Sequence, residues 1–288
     1  MPLTFNEGKA CDAIIRLLEA REGATRTNLR FPEDERHSAP VEVTFNLGQQ
    51  IFALEHTGIE PFSGFMKMSG QAGIHIDPIL AGVEGRLPQD SVYELHLPAQ
   101  ILQGRRRREV IEIQRALVEW IVATAPSVTT RRYGDYIKNV TSSTPPGVPF
   151  QVTLYRFELM RTLPRLQIKH LLQSDTETAR AERILEACNK KFPKLAAWKA
   201  EHGARAVLIL EDNDIQLTNQ DVVAAAYLPI AHARADRPDE TYMIMTISST
   251  WYVWPILIDA KSYYAYTDHE YPIHTEYLAV DLVPLTKR

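Results

Sequence analysis

Apolar positions first recur at helical spacing between residues 6 and 21, where Ala10, Cys11, Ile14, Ile15 and Leu18 share one face and Asn6 stands as the N-cap. Past a polar stretch holding Pro32 and Pro40 the period drops to two. Val41-Glu42-Val43-Thr44-Phe45-Asn46-Leu47 alternates like a strand, Gly48-Gln49-Gln50 reads as a tight connection, and Ile51-Phe52-Ala53-Leu54-Glu55-His56-Thr57 follows as its hairpin partner. Further on the pattern predicts a strand over 92–97 and a helix over 105–124, with Val110, Ile113, Leu117, Trp120 and Ile121 on one side. A strand near 150–157, a long helical region over about 177–201 with a break at Pro193, and the apolar run 206–210 come next. Thr218-Asn219-Gln220-Asp221 resembles a capping box opening a short helix, and strands near 242–247 and 251–258 close the regular part.

Strands and helices interleave along the whole length, which predicts an α/β (mixed α+β) fold, a mixed sheet flanked by helices. The expected organisation is one domain over 1–288 with insertions, and the Ser-, Thr-, Pro- and Gly-rich stretch 141–149 is the place for an internal boundary. Composition narrows the class further. With 45% hydrophobic and 24% charged residues, the 288-residue chain is neither disordered nor collagen-like. Lys+Arg 32 against Asp+Glu 36 leaves a net charge of −4, so any hold on nucleic acid must come from a local patch. Cys11 and Cys188, the two cysteines, sit in apolar helical patterns and form no C-x-x-C, which excludes a disulfide framework and a zinc ribbon. No apolar run reaches the roughly 20 residues of a membrane helix, and Met1-Pro2-Leu3-Thr4-Phe5 opens no signal peptide. A cytoplasmic protein with no membrane partner is expected.

Several devices are absent: no phosphate-binding G-x-x-x-x-G-K-[ST] loop, no G-x-G-x-x-G turn and no G-x-S-x-G elbow occurs. His269 and His274 stand five apart with Pro272 between them, which does not suit a zinc helix. Glu211-Asp212-Asn213-Asp214 reads as a solvated acidic turn. The run Arg105-Arg106-Arg107-Arg108 opposes the dipole of the helix it opens. Arg106, Arg107 and Arg108 with the free N–H groups could form a phosphate-binding end; the other reading is a solvated run paired with Glu109 and Glu112.

The sharper signal lies in the hairpin. Glu55 shares a strand face with Ile51, Ala53 and Thr57, and a carboxylate on such a face must be paired, hydrogen-bonded or metal-bound. A short connection through Gly48 fixes the register and is expected to make the carboxyl groups of Glu42 and Glu55 converge. Glu7 falls on the core-facing side of the first helix, where its charge also suits the helix dipole.

A helix bearing Glu7, then Pro40-Val41-Glu42, then Leu54-Glu55-His56-Thr57 resembles the PD-(D/E)XK, or restriction-endonuclease-like, nuclease superfamily. The resemblance implies a restriction-endonuclease-like core with insertions, in which Glu42 and Glu55 hold Mg²⁺ (or Mn²⁺) with help from Glu7 and the main-chain carbonyl of His56. Glu42 stands where the family has aspartate, and Thr57 stands at the lysine position. Some members take that lysine from a helix instead, and Lys191 or Lys194 could supply it here. The implied activity is metal-dependent hydrolysis of nucleic acid, DNA or RNA, with a lysine or Thr57 orienting the nucleophile. The alternative is an inactive nuclease-fold binding or assembly module. A third reading, a glycoside hydrolase using Glu55 and Glu60, would need the two carboxylates to converge across a turn.

Overall fold

The computed structural model describes residues 6–32, 40–60, 64–99, 101–102, 104–132, 141–159, 163–171, 176–213, 218–263 and 274–285. In chain order the elements begin with α1 (Glu7–Glu22), β1 (Arg26–Arg30), β2 (Val43–Leu47) and β3 (Gln50–Ile59). There follow α2 (Phe65–Gly70), α3 (Ala72–His75), α4 (Asp77–Val83), β4 (Ser91–Pro98), α5 (Arg107–Thr124), β5 (Thr130–Arg131), β6 (Thr141–Ser143), β7 (Val152–Glu158) and β8 (Leu166–Leu171). The chain ends with α6 (Thr176–His202), β9 (Arg205–Asp212), α7 (Gln220–His232), β10 (Glu240–Met245), β11 (Thr250–Ile258), β12 (Lys261–Ser262) and β13 (Thr275–Leu278). The fold mixes α and β, and both sheets mix parallel with antiparallel pairs.

These elements form two compact units, one built on Gly64–Asp175 and the other on Leu3–Ser63 with Thr176–Arg288. The smaller unit is thus an insertion between β3 and α6. The stretch 141–149 lies within it, as β6 and the turn that follows. In the smaller unit the sheet runs β5-β7-β4-β8, with β6 on β7. Helix α5 buries Ile113, Leu117 and Ile121 with Tyr93, Leu95 and Leu154 of the sheet.

The larger unit is organised around the sheet β1-β2-β3-β9-β10-β11-β12, with β13 on β11. Strands β1, β2 and β3 are antiparallel, and the crossover through α6 makes β9 parallel to β3. Alternation along β3 gives the sheet two cores. Phe52 and Leu54 face α1, packing with Ile14, Leu18 and Val207, while Ala53 and Ile59 face α6 and α7 with Cys188, Phe192 and Tyr227.

Two local details tie the helices to this sheet. Helix α6 runs through Pro193 instead of breaking there. A proline costs a helix one N–H donor, but buried Cys188, Phe192 and Leu195 on either side of it anchor the helix to the core. Helix α1 is held from the far end of the chain: a Cβ on Gly8 would stand 2.3 Å from the Leu285 carbonyl oxygen, and Asp12 Oδ2 accepts the Val283 N–H at 2.9 Å. Only glycine permits so close an approach. Among the described residues no helix is long and apolar enough to cross a membrane.

Candidate active site

The β2–β3 register sets Glu42 against Glu55. A two-residue turn at Gly48 and Gln49, with Gly48 at φ 56°, brings Leu47 opposite Gln50, and the pairing runs out through Phe45–Phe52 to Val43–Leu54. Phe45 and Phe52 stack across the strands with ring centroids 5.2 Å apart, which locks the register. One residue further out, Glu42 comes opposite Glu55. The chain bends there, before β2 begins, so strict alternation does not extend to 41: Val41 joins the α6 side, whereas Val43 faces α1.

Both carboxylates are buried, Glu55 at 0% exposure and Glu42 at 6%. Like charges directly opposed on a sheet are destabilising, so a counter-charge is needed. Lys191 provides it from α6. Its Nζ donates to Glu42 Oε1 at 2.7 Å and to Glu55 Oε2 at 2.5 Å. Lys194, one turn further along α6, also reaches Glu55, at 3.2 Å. Glu42 Oε2 in addition accepts the main-chain N–H of His56 at 2.6 Å.

The electrostatics follow from this crowding. Burial, then the neighbouring Glu42, pushes the Glu55 carboxyl up to about 7, against the pull of Lys191. Burial likewise raises Glu42, opposed chiefly by Lys191. For Lys191 burial works against the charge, but Glu42 and Glu55 outweigh it and hold the ammonium above its ordinary range. A lysine so held is a fixed positive charge at neutral pH and does not serve as a general base.

Stability should follow pH accordingly. Glu55 has an ordinary value of 4.5 and titrates near 7 when folded, so between those limits the folded chain keeps a proton that the unfolded chain has lost. Unfolding free energy therefore falls as pH rises through that window, by about 2–3 kcal/mol between pH 5 and 8 in metal-free buffer. Lys191 contributes nothing in this window, because its raised value lets its stabilisation fade only above the ordinary lysine range. Urea midpoints across pH 5 to 8 measure the effect, and Glu55→Gln should flatten it. A wild-type midpoint that rises over this range contradicts the assignment.

The remaining candidate residues are distributed differently. Glu7 is exposed in the first turn of α1, near enough for its charge to raise Glu42 but outside the Lys191 cluster. The His56 ring turns to the α1 side, where Nε2 lies 2.8 Å from Glu211 Oε2. Thr57 is half-buried and lines a cleft of about 140 Å³ with Glu60, Arg183, Lys190 and Lys191. Glu60 in that wall is engaged by Arg183 at 2.7 Å. Arg105 pairs with Glu109, and Arg108 with Glu112 at 2.9 Å. Arg106 and Arg107 are exposed at the start of α5. His269 and Asp214 lie outside the described residues.

The acidic segment that follows the 206–210 run is not a solvated turn. Glu211 and Asp212 belong to β9 and have 0% exposure. Besides His56, Glu211 accepts the Asn6 N–H at 3.0 and 2.9 Å and the Thr246 hydroxyl at 2.7 Å. Those donors come from three separate segments, and no local pattern announces them. Beside them Cys11 is buried, and burial with Glu42, Glu7, Glu55 and Glu211 nearby holds its thiol well above the ordinary value, hence protonated and unreactive.

Among the described residues no group of three His, Cys, Asp or Glu side chains is placed to hold a metal ion. Glu42 and Glu55 do nevertheless turn one oxygen each to a single cationic point, now taken by Lys191 Nζ. Carboxylate oxygens are hard donors of the kind Mg²⁺ accepts. Comparison with protein-family models, curated proteins and solved structures yields no match.

Proposed function

We propose that this protein is a metal-dependent nuclease, hydrolysing phosphodiester bonds of nucleic acid at Glu42, Glu55 and Lys191. The observation that carries the reading is the meeting of one lysine ammonium with two opposed, buried carboxylates. That combination gives the resemblance to the PD-(D/E)XK superfamily its lysine from a helix, in place of Thr57. The mixed sheet, with α1 on one face, α6 and α7 on the other and an insertion after β3, agrees with the architecture the resemblance implies.

In this reading Glu42 and Glu55 hold Mg²⁺ or Mn²⁺. When bound, the ion would neutralise charge on the scissile phosphate and acidify a water. Lys191, released from bridging the two glutamates, would place positive charge beside the phosphate as negative charge builds there. Arg183 and Lys190 line the adjoining cleft and would steer the backbone into it, with Thr57 at its wall. The proposed setting is the cytoplasm, where free thiols such as Cys11 and Cys188 stay reduced.

The test is incubation of the full chain with single- and double-stranded DNA and RNA in Mg²⁺ or Mn²⁺. Cleavage that stops on chelation supports the reading. One observation favours the alternative of an inactive nuclease-fold binding module: Lys191 pairs with both glutamates and so can serve as their structural counter-charge. Salt-dependent binding with no cleavage of any substrate would decide for that module.

Arg106 and Arg107 are the proposed nucleic-acid contacts of the smaller unit, with Arg108 held back by Glu112. Reversing both charges should weaken binding and lower the slope of log affinity against log salt by about 2, since each lost phosphate contact removes close to one released counterion. Exposed arginines add little to the core, so melting should be unchanged. An unaltered salt titration would assign both residues to a solvated face.

A further inference from the structure

A second cleft, of about 450 Å³, opens in the larger unit at the end of the sheet where β9 and β10 begin. It falls within the roughly 300–1,000 Å³ of small-molecule sites. The ends of α6 and α7, the connection after α7 and the β11–β12 turn enclose it, and its charged wall residues are Lys199, Arg234, Arg237, Asp239 and Asp259.

Its two carboxylates are already engaged. Asp239 takes the Lys199 ammonium and accepts the Ala206 N–H at 2.9 Å, and Asp259 takes Arg205 at 2.7 Å. Arg234 is engaged as well, forked onto Asp236 at 2.8 and 2.6 Å, with Asn189 on its remaining nitrogen. Arg237 differs from all of these: it is half-buried and has no carboxylate or hydrogen-bond partner among the described residues.

A guanidinium is always charged and presents a planar fork of donors that matches a phosphoryl group. Held half out of water and joined to neither wall carboxylate, it lacks the partner that such a group normally has. The surrounding ion pairs hold the wall in shape before any ligand arrives, which limits the ordering cost of binding. We propose that this cleft binds a phosphate monoester of about mononucleotide size, with Arg237 as its anchor.

Calorimetric titration of the full chain with inorganic phosphate, a nucleoside 5′-monophosphate and the parent nucleoside tests this. The monophosphate should bind, phosphate alone should bind more weakly, and the nucleoside should give no heat. Arg237→Gln should weaken monophosphate binding by about tenfold or more, Arg237→Lys by less, and Arg86→Gln, which does not line the cleft, not at all. Melting curves check that each variant is folded; should Arg237→Gln fail to fold, Arg237→Lys carries the comparison. No heat from the monophosphate up to about 10 mM overturns the proposal. So does binding that a folded Arg237 variant leaves unchanged, or binding that depends on Lys191 instead.

Discussion

Glu55→Gln is expected to abolish Mg²⁺- or Mn²⁺-dependent cleavage while the chain stays folded. Glutamine keeps nearly the same volume and its one carbonyl oxygen can still accept from Lys191, but it lacks the charge that holds a divalent ion. If metal stabilisation of the developing charge is worth several kcal/mol, the loss is about three orders of magnitude in rate. Stability without metal should hold or rise at pH 8. There the wild-type carboxylate is ionised against its neighbour Glu42, whereas glutamine is not. The measurement pairs a single-turnover cleavage assay with a metal-free urea titration of both proteins. Cleavage that survives the change at the wild-type rate would move the chemistry away from this hairpin, with Glu211 and Asp212 next to be tested.

Lys191→Met carries the second large effect, and it acts on stability first. Removing the ammonium leaves Glu42 and Glu55 opposed and buried, with only Lys194 still touching Glu55. Breaking a buried ion pair from one side costs about 3–5 kcal/mol. The cost should be largest at pH 8 and shrink toward pH 5, since protonating either carboxyl relieves the repulsion. Cleavage should be lost even at pH values where the variant is fully folded. Because an ammonium no longer competes for the shared point, Mn²⁺ should raise the melting temperature of the variant more than that of the wild type. A variant that cleaves normally would make Lys191 a structural counter-ion only, and a variant that melts like wild type at pH 8 would contradict the ion cluster itself.

Much of the fold was legible because it rests on local periodicity. The alternation over 41–57 and the apolar faces of the helices near 105–124 and 177–201 correspond to β2, β3, α5 and α6 to within a few residues. Strands β1 and β8 were not legible: their exposure patterns show no clean alternation, so side-chain polarity leaves no trace of the pairing. The division into units was hidden as well. The loop-like composition at 141–149 belongs to a turn inside the insertion, while the boundaries near 63 and 175 depend on which contacts close, not on what residues stand there.

The candidate site divides the same way. That Glu42 opposes Glu55 follows from the short Gly48 turn and the period of a strand, both of which act over a few residues and so reside in the sequence itself. The sequence also shows two lysines, Lys191 and Lys194, three apart on one helix face, and offers no ground for choosing between them. That choice is tertiary. The crossover seats α6 on β3 so that Lys191 bridges carboxylates 149 and 136 positions away, while Lys194 touches Glu55. The burial of Glu211 is decided in the same manner. A carboxylate can leave water only where donors wait for it, and the donors here, Asn6, His56 and Thr246, are neighbours only after the sheet and α1 have packed.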